Sequence, residues 1–319
     1  MRVCLTGGTG LVGRRLSRAL LERGDSITII TRDAERARTV LDPAVGLVEA
    51  DPTREGSWQD AVRGSEAVVN LAGQNLFARR WTPRVKNAIE ESRYLTTAHV
   101  AEAMATSGRK IDLVSASAVG YYGPRDDDEP LGEDVAPGHD FLAHVCVDWE
   151  RACAPAIDAG ARVVNARFGV VLDASDGALP RIAMPFRLFV GGPVGSGEQW
   201  VSWIHSRDLV RVLLMALDDA RLSGPVNACS PAPVRMRELA LAIGRALGRP
   251  SWFRTPAWAL RLAVGEVSDV ILTGQRVLPR RLESLGFEFE FPRIDAALAG
   301  LLGRARPEEL RAAEGRAAA

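Results

Sequence analysis

The first apolar run of the chain, residues 3–6, is short and β-rich; it gives way to a glycine cluster and then to a stretch that puts Leu16, Ala19 and Leu20 on one helical face. That order predicts strand, turn, helix. The unit recurs, because 26–31 is a β-branched run, Asp33 stands where it can cap a short helix, and 47–50, 67–71 and 112–115 supply further strands between helical segments. Residues 161–172, rich in valine, read as a sixth, buried strand. Two long helices are predicted, over 83–107 with Pro83 in the first turn and Gly108 closing it, and over 140–160, where Pro155 is expected to kink or shorten the helix. Regular β–α alternation predicts an α/β fold, a Rossmann-type doubly wound parallel sheet with helices on both faces.

After about residue 173 the alternation weakens and the chain becomes richer in Gly and Pro, as in GGPVGSG at 191–197, with helices predicted over 207–218, 235–247 and 257–272. The expected organisation is a nucleotide-binding Rossmann domain over 1–172, to which 198–230 contributes, and a smaller, discontinuous C-terminal α+β substrate subdomain over 173–302. Residues 303–319 carry no large apolar anchor beyond Leu310 and are expected to form a weakly ordered tail.

Composition narrows the classes of partner. With 40 basic and 40 acidic residues in 319, the chain lacks the long-range attraction that nucleic acid or an anionic membrane surface needs, so neither is an expected partner. No run approaches the roughly 18 apolar residues of a membrane helix, and the N terminus passes into a glycine turn instead of a signal-peptide core. Cys4, Cys146, Cys153 and Cys229 follow no metal-ligand spacing, which predicts a reduced, cytoplasmic protein without a metal site. Lys86 and Lys110 are the only lysines.

The segment Thr6, Gly7, Gly8, Thr9, Gly10, Leu11, Val12, Gly13 follows a predicted strand and opens a predicted helix, the context in which a glycine fingerprint points to dinucleotide binding. Glycines let the backbone turn sharply and let a pyrophosphate approach the positive end of the helix. At the end of the second strand, where an NAD site carries an acidic residue, stand Thr31 and Arg32, and an arginine there suits the 2′-phosphate of NADP. Asp33 can take a ribose diol or cap the next helix, so NAD(H) stays as the less favoured cofactor. Asp51, ending the third strand, can reach the adenine edge, although strand-end capping is the commoner role of such a residue. Leu71, Ala72 and Gly73, ending the fourth, let backbone run beside the nicotinamide half.

At this point the residues resemble the extended short-chain dehydrogenase/reductase family, which includes sugar-nucleotide epimerases and dehydratases: TGGTGLVG at 6–13, NLAG at 70–73, SASAVGYYG at 115–123 and WIHSRDL at 203–209 fall in the family's order. GQNLFARRWT at 73–82, the stretch 179–205 and GQRVLPRRLESLGFEFEFP at 274–292 are similar to signatures of its "epimerase family protein" branch, which has a distinctive C-terminal domain. The resemblance implies a Ser, Tyr, Lys catalytic set in which lysine binds the nicotinamide ribose and lowers the tyrosine pKa. Ser117 matches the serine. The Tyr-x-x-x-Lys positions fall on Leu142 and Cys146, with Glu150 one turn on, and no tyrosine of the chain has a lysine four residues after it. A free tyrosine with a pKa of about 10 is a poor base at neutral pH. Tyr121 and Tyr122 are the remaining protic candidates, with Arg125 a conceivable neighbouring cation; Cys146 can act as a thiol acid only if its pKa is lowered, and filling the lysine's space is its simpler role.

For an anionic substrate group the candidates are Arg79, Arg167 and Arg187, whose guanidinium forks suit phosphate and carboxylate. Arg80 can equally serve the cofactor's phosphates, and Gln74 either ligand. His205 falls where the family segment shapes the substrate cleft, as a contact or as a structural support, and His144 with Asp148 four residues on can form an imidazole–carboxylate pair. The sequence thus predicts an NADP(H)-dependent oxidoreductase or epimerase-like enzyme on a small polar or sugar-like carbonyl or alcohol. The alternative is a non-catalytic NADP(H)-binding sensor or an interaction protein of cell growth or division. Family members often dimerise through the two long helices, so a homodimer is an option, although Arg84, Lys86, Glu90, Glu91 and Arg93 give the first of them a polar surface.

Overall fold

The structure, a computed structural model, describes residues 1–125 and 127–303. The tail expected from 303 onward therefore lies, but for Gly303, outside the described residues.

The N-terminal half is built from β1 (Arg2–Thr6), α1 (Leu11–Glu22), β2 (Ser26–Thr31), α2 (Ala34–Arg38), β3 (Gly46–Glu49), α3 (Gln59–Arg63), β4 (Ala67–Asn70), α4 (Pro83–Ala105) and β5 (Asp112–Ala118). A 3-10 turn, Val119–Tyr122, leads towards α5 (Phe141–Arg151) and α6 (Ala154–Asp158). Pro155, in the first turn of α6, cannot continue the hydrogen-bond ladder of the preceding helix, so the single helix expected over 140–160 is two. The strand expected over 161–172 is likewise two, β6 (Val163–Phe168) and β7 (Val170–Leu172), separated at Gly169, where the backbone lies against the Ser202 carbonyl.

The chain continues through α7 (Ala178–Arg187), β8 (Trp200–Val201), β9 (Trp203–His205), α8 (Ser206–Asp218), β10 (Gly224–Ala228), β11 (Val234–Arg235) and α9 (Met236–Leu247). It ends with α10 (Ala257–Val264), α11 (Asp269–Leu272), α12 (Arg280–Ser284) and α13 (Ile294–Leu302). The helix expected over 257–272 is interrupted at Gly265, whose φ of 75° belongs to the left-handed region.

Seven strands form one parallel sheet in the order β10-β6-β5-β4-β1-β2-β3. The order reverses at β1, so a crevice opens between the carboxyl ends of β1 and β4. β10 was not predicted: its sequence, GPVNA, begins with two turn-forming residues and is too short to show a period. Apolar side chains cover both faces. Leu16 and Leu20 of α1 pack with Leu209 and Leu213 of α8 on one side, and Trp58, Val62, Val100 and Met104 pack on the other. A separate core joins α7, α9 and α13 through Leu179, Phe186, Leu239, Ile243 and Leu298.

Candidate functional site

The glycine turn sits at the carboxyl end of β1, beside the crevice. Gly7 has a φ of 68°, and a Cβ on it would lie 2.6 Å from the Leu71 carbonyl. A Cβ on Gly13 would lie 2.5 Å from the Gly7 carbonyl, so α1 is pressed against the turn as only a glycine permits. Thr6 is fully buried; its hydroxyl donates to Asn70 Oδ1 (2.6 Å) and accepts from the Ala72 amide (3.2 Å), binding the ends of β1 and β4 together. Gly10 opens α1 without a side-chain cap, and no acidic residue occupies the first turn. The leading amides of Leu11, Val12 and Gly13 thus form the uncapped positive end of a helix, behind a turn whose missing side chains leave a cradle. Its donor set fits a pyrophosphate.

At the end of β2, Asp33 is taken up locally, its carboxylate accepting the Arg36 amide (2.8 Å) as the N-cap of α2, while the Thr31 hydroxyl meets the Asp33 amide (3.3 Å). Arg32 is exposed and makes no ion pair among the described residues. Asp51 closes a turn on Thr53, accepting its amide (3.1 Å) and hydroxyl (2.8 Å). Burial alone would raise its pKa, but those bonds and the charges of Arg32 and Arg54 lower it, so a carboxylate lies near Arg32. Leu71, Ala72 and Gln74 are half-buried and Gly73 exposed along the edge of the crevice.

The end of β5 carries a buried polar network. Ser117 Oγ donates to Glu150 Oε1 of α5 (2.7 Å). Arg167 of β6 grips the same carboxylate with two bonds, Nε to Oε1 and Nη2 to Oε2, both 2.8 Å. Its Nη1 donates to the Tyr122 hydroxyl (2.9 Å) and the Glu133 carbonyl (3.2 Å), and Tyr122 in turn donates to Asn227 Oδ1 of β10 (2.7 Å). Tyr121 lies across this network, its ring 3.4 Å from the Arg167 guanidinium carbon.

This geometry redistributes the expected roles. Arg167 is buried and spent on Glu150, Tyr122 and Glu133, so it is not presented to an anionic substrate group. Tyr122 is sealed from solvent, and burial pushes its hydroxyl up to about 12 despite Arg167, which removes it as a neutral-pH acid–base group. Cys146 is buried, and desolvation, reinforced by the charge of Glu150, raises its thiol to about 12, opposite to the lowering a thiol acid needs. Tyr121, half-buried, is the tyrosine left at the surface of the network. His205 caps α8, its Nδ1 accepting the Arg207 amide (3.0 Å), and stacks on Phe291 at 3.9 Å; burial and the charge of Arg207 draw it down to about 4. It is a buried support rather than a substrate contact. Arg80 donates to the carbonyls of Leu262 (2.6 Å) and Ala263 (2.9 Å) at the end of α10, so its guanidinium fastens that helix instead of facing a phosphate. Arg79 and Arg187 are exposed. His144 is exposed, and Asp148 faces Arg151 at 3.8 Å, so the expected imidazole–carboxylate pair is not formed.

Sequence reasoning missed Glu150 as the hub, although an arginine near the end of the buried strand VVNARF is itself a signal that a carboxylate lies opposite. Among the described residues one trio, Glu55, His99 and Glu102, places three ligand-type atoms within 4.8 Å of one another; its two carboxylates are exposed and His99 Nδ1 faces the Pro52 carbonyl. No helix among the described residues is long and apolar enough to cross a membrane.

A seven-stranded parallel sheet with a glycine cradle at its switch point and a serine at the end of β5 defines a Rossmann-type nucleotide-binding protein of the short-chain dehydrogenase/reductase kind. The chain belongs to the NAD dependent epimerase/dehydratase family, which matches residues 3–229, and a domain of unknown function, DUF1731, matches residues 255–301. The chloroplastic SDR39U1 homolog of Arabidopsis thaliana, named an epimerase family protein, is 40% identical over 305 residues, 95% of this chain and 87% of that protein. The crystal structure of human epimerase family protein SDR39U1 (isoform2) with NADPH is similar at a TM-score of 0.83 and 31% identity, covering 96% of this chain and 100% of that one. A nucleoside-diphosphate sugar epimerase from Corynebacterium glutamicum is similar at a TM-score of 0.78 and 35% identity, covering 99% of this chain and 61% of that one.

Proposed function

We propose that the protein binds NADP(H) in the crevice between β1 and β4 and uses it on a small polar or sugar-like carbonyl or alcohol, held between the end of the sheet and the unit formed by residues 173–302. The observation that carries this reading is the cradle, in which Gly7 and Gly13 pack so closely that no side chain fits and α1 offers uncapped amides. Arg32, exposed at the end of β2 while Asp33 is occupied as a cap, favours the 2′-phosphate over a free ribose diol. The human relative crystallised with NADPH supports the same choice, and the sugar-nucleotide name of the bacterial relative supports the substrate class.

A bound nicotinamide supplies the hydride donor or acceptor. Ser117 is itself buried and spends its proton on Glu150, so its oxygen is left to accept a hydrogen bond only from a substrate hydroxyl that reaches the end of β5. Glu150 holds that orientation and is itself held by Arg167. Tyr121, with the Arg167 charge against the face of its ring, is the group that can donate to the reacting oxygen. A second reading rests on the sealed Tyr122 and Cys146: with the usual proton-transfer pair gone, the same fold serves as a cofactor-binding protein without turnover.

Fluorescence titration with NADPH and NADH, followed by carbonyl-substrate screens at 340 nm, tests both. Micromolar NADPH binding, weakened by about tenfold or more in Arg32→Ala while NADH binding is unchanged, supports the cofactor assignment. Turnover lost in Tyr121→Phe and Ser117→Ala supports the enzyme, whereas tight binding with no turnover supports the second reading.

A further inference from the structure

Arg93 is a guanidinium that the network around Ser117 does not use. It reaches from α4 to the carboxyl end of β4, where Nη2 donates to the Gln74 carbonyl (3.1 Å) and Nη1 to the Ile89 carbonyl (2.9 Å). A Cβ on Gly73 would lie 3.2 Å from its guanidinium carbon, and the face of Trp149 on α5 lies 5.1 Å away. No carboxylate pairs with it among the described residues. Burial draws it down to about 10, and the Cys146 side chain lies close enough to feel its charge. Arg93 is half-buried, so a cation there without a counter-charge is only partly hydrated. Its remaining N–H groups have no acceptor among the described residues and keep contact with solvent, so they are free to meet a ligand in the crevice.

The surroundings show where such acceptors would lie. Gly73 and Gln74 border the crevice at the end of β4, and Cys146 occupies the helical position from which the family's lysine would reach the same place. We propose that Arg93, delivered from α4, is the fixed cation of the nicotinamide half of the site, its guanidinium donating to the hydroxyl oxygens of the ribose on that side. This rests on the cofactor reading above and assigns it a residue outside the glycine turn. Arginine keeps its proton at every physiological pH, so it positions the ribose and takes no part in a proton relay.

The test separates the two halves of the cofactor. NADPH and 2′,5′-ADP, which carries the adenosine and the 2′-phosphate but no nicotinamide ribose, are titrated by calorimetry against wild type, Arg93→Ala, Arg93→Lys and the double variant Arg93→Ala with Cys146→Lys. Loss of charge-assisted bonds to the ribose weakens NADPH binding by about tenfold or more in Arg93→Ala while 2′,5′-ADP stays within about twofold. Arg93→Lys, which keeps the charge, retains part of the affinity, and Cys146→Lys in the double variant restores part of it from the opposite helix. If the alanine variant does not fold, the lysine variant alone decides, since a loss confined to NADPH is still required. Equal loss for both nucleotides, or no loss for either, overturns the role of Arg93. Failure of wild type to bind either nucleotide overturns instead the cofactor reading on which it rests.

Discussion

Glu150 receives the Ser117 hydroxyl and both arms of the Arg167 fork, so its removal unpairs a buried charge. Glu150→Gln is expected to lower the unfolding free energy by about 3–5 kcal/mol, measured by urea denaturation, because Arg167 stays charged and loses its partner. Ser117→Ala removes one hydrogen bond from a carboxylate that keeps its ion pair and costs only about 1–2 kcal/mol. A reversed order would show that Arg167 finds compensation elsewhere. His205 sets a pH dependence of its own. Its pKa falls from the ordinary 6.5 to about 4 in the folded chain, so between those values the unfolded chain binds the proton and the folded chain does not. Stability from this residue is present above pH 6.5 and is lost as the pH falls towards 4. His205→Asn, which can still cap α8, is expected to flatten the stability profile across that window. Asp173, held low by bonds from Arg15, Ser206 and Ser175 against the effect of burial, gives a further loss only below its unfolded value of 3.8.

At the scale of elements, the strand–turn–helix start was legible because its period and its glycines say the same thing: apolar 3–6 must be buried, and only glycine fits between β1 and α1. The ends of α4 were legible from Pro83 in its first turn and Gly108 beyond its last, and those of α8 and α9 from their apolar stripes. The division of 161–172 into two strands was not. It depends on Gly169 touching the Ser202 backbone, a contact between residues distant in sequence that leaves no period behind. Gly169→Ala places a Cβ 2.8 Å from the Ser202 carbonyl and 3.2 Å from Cys229 Cβ. A cost of about 1–3 kcal/mol is expected by denaturant unfolding, and a neutral outcome would mean that β7 and β9 can separate freely. The candidate site shows the same limit. Ser117 and the cradle follow from motif and position, whereas the burial of Tyr122, Cys146 and Arg167 depends on how α5 and β10 close over the end of β5.

For the whole molecule, the cofactor reading makes stability a function of ligand. NADPH at a hundred times its dissociation constant is expected to add about 2.7 kcal/mol to the folded state, read as a rise in the thermal midpoint. The same concentration of NADH should give a smaller rise, and Arg32→Ala should bring the two together; equal rises in wild type would remove the assigned preference for the 2′-phosphate.

α10 gives the molecule an uneven distribution of rigidity. It buries none of its side chains, leaves Trp258 and Leu262 about 70% exposed, and is fastened by Arg80 to its last carbonyls and by the Lys86–Glu266 pair just beyond. Its apolar residues are at most half-buried, so its opening free energy lies at the low end of the range, below that of α8, whose stripe is locked into the core of the sheet. In hydrogen-exchange terms, amides of 257–264 should turn over orders of magnitude faster than those of 206–218. The segment of chain running past the loop after β4 can then come away while the nucleotide cradle stays intact.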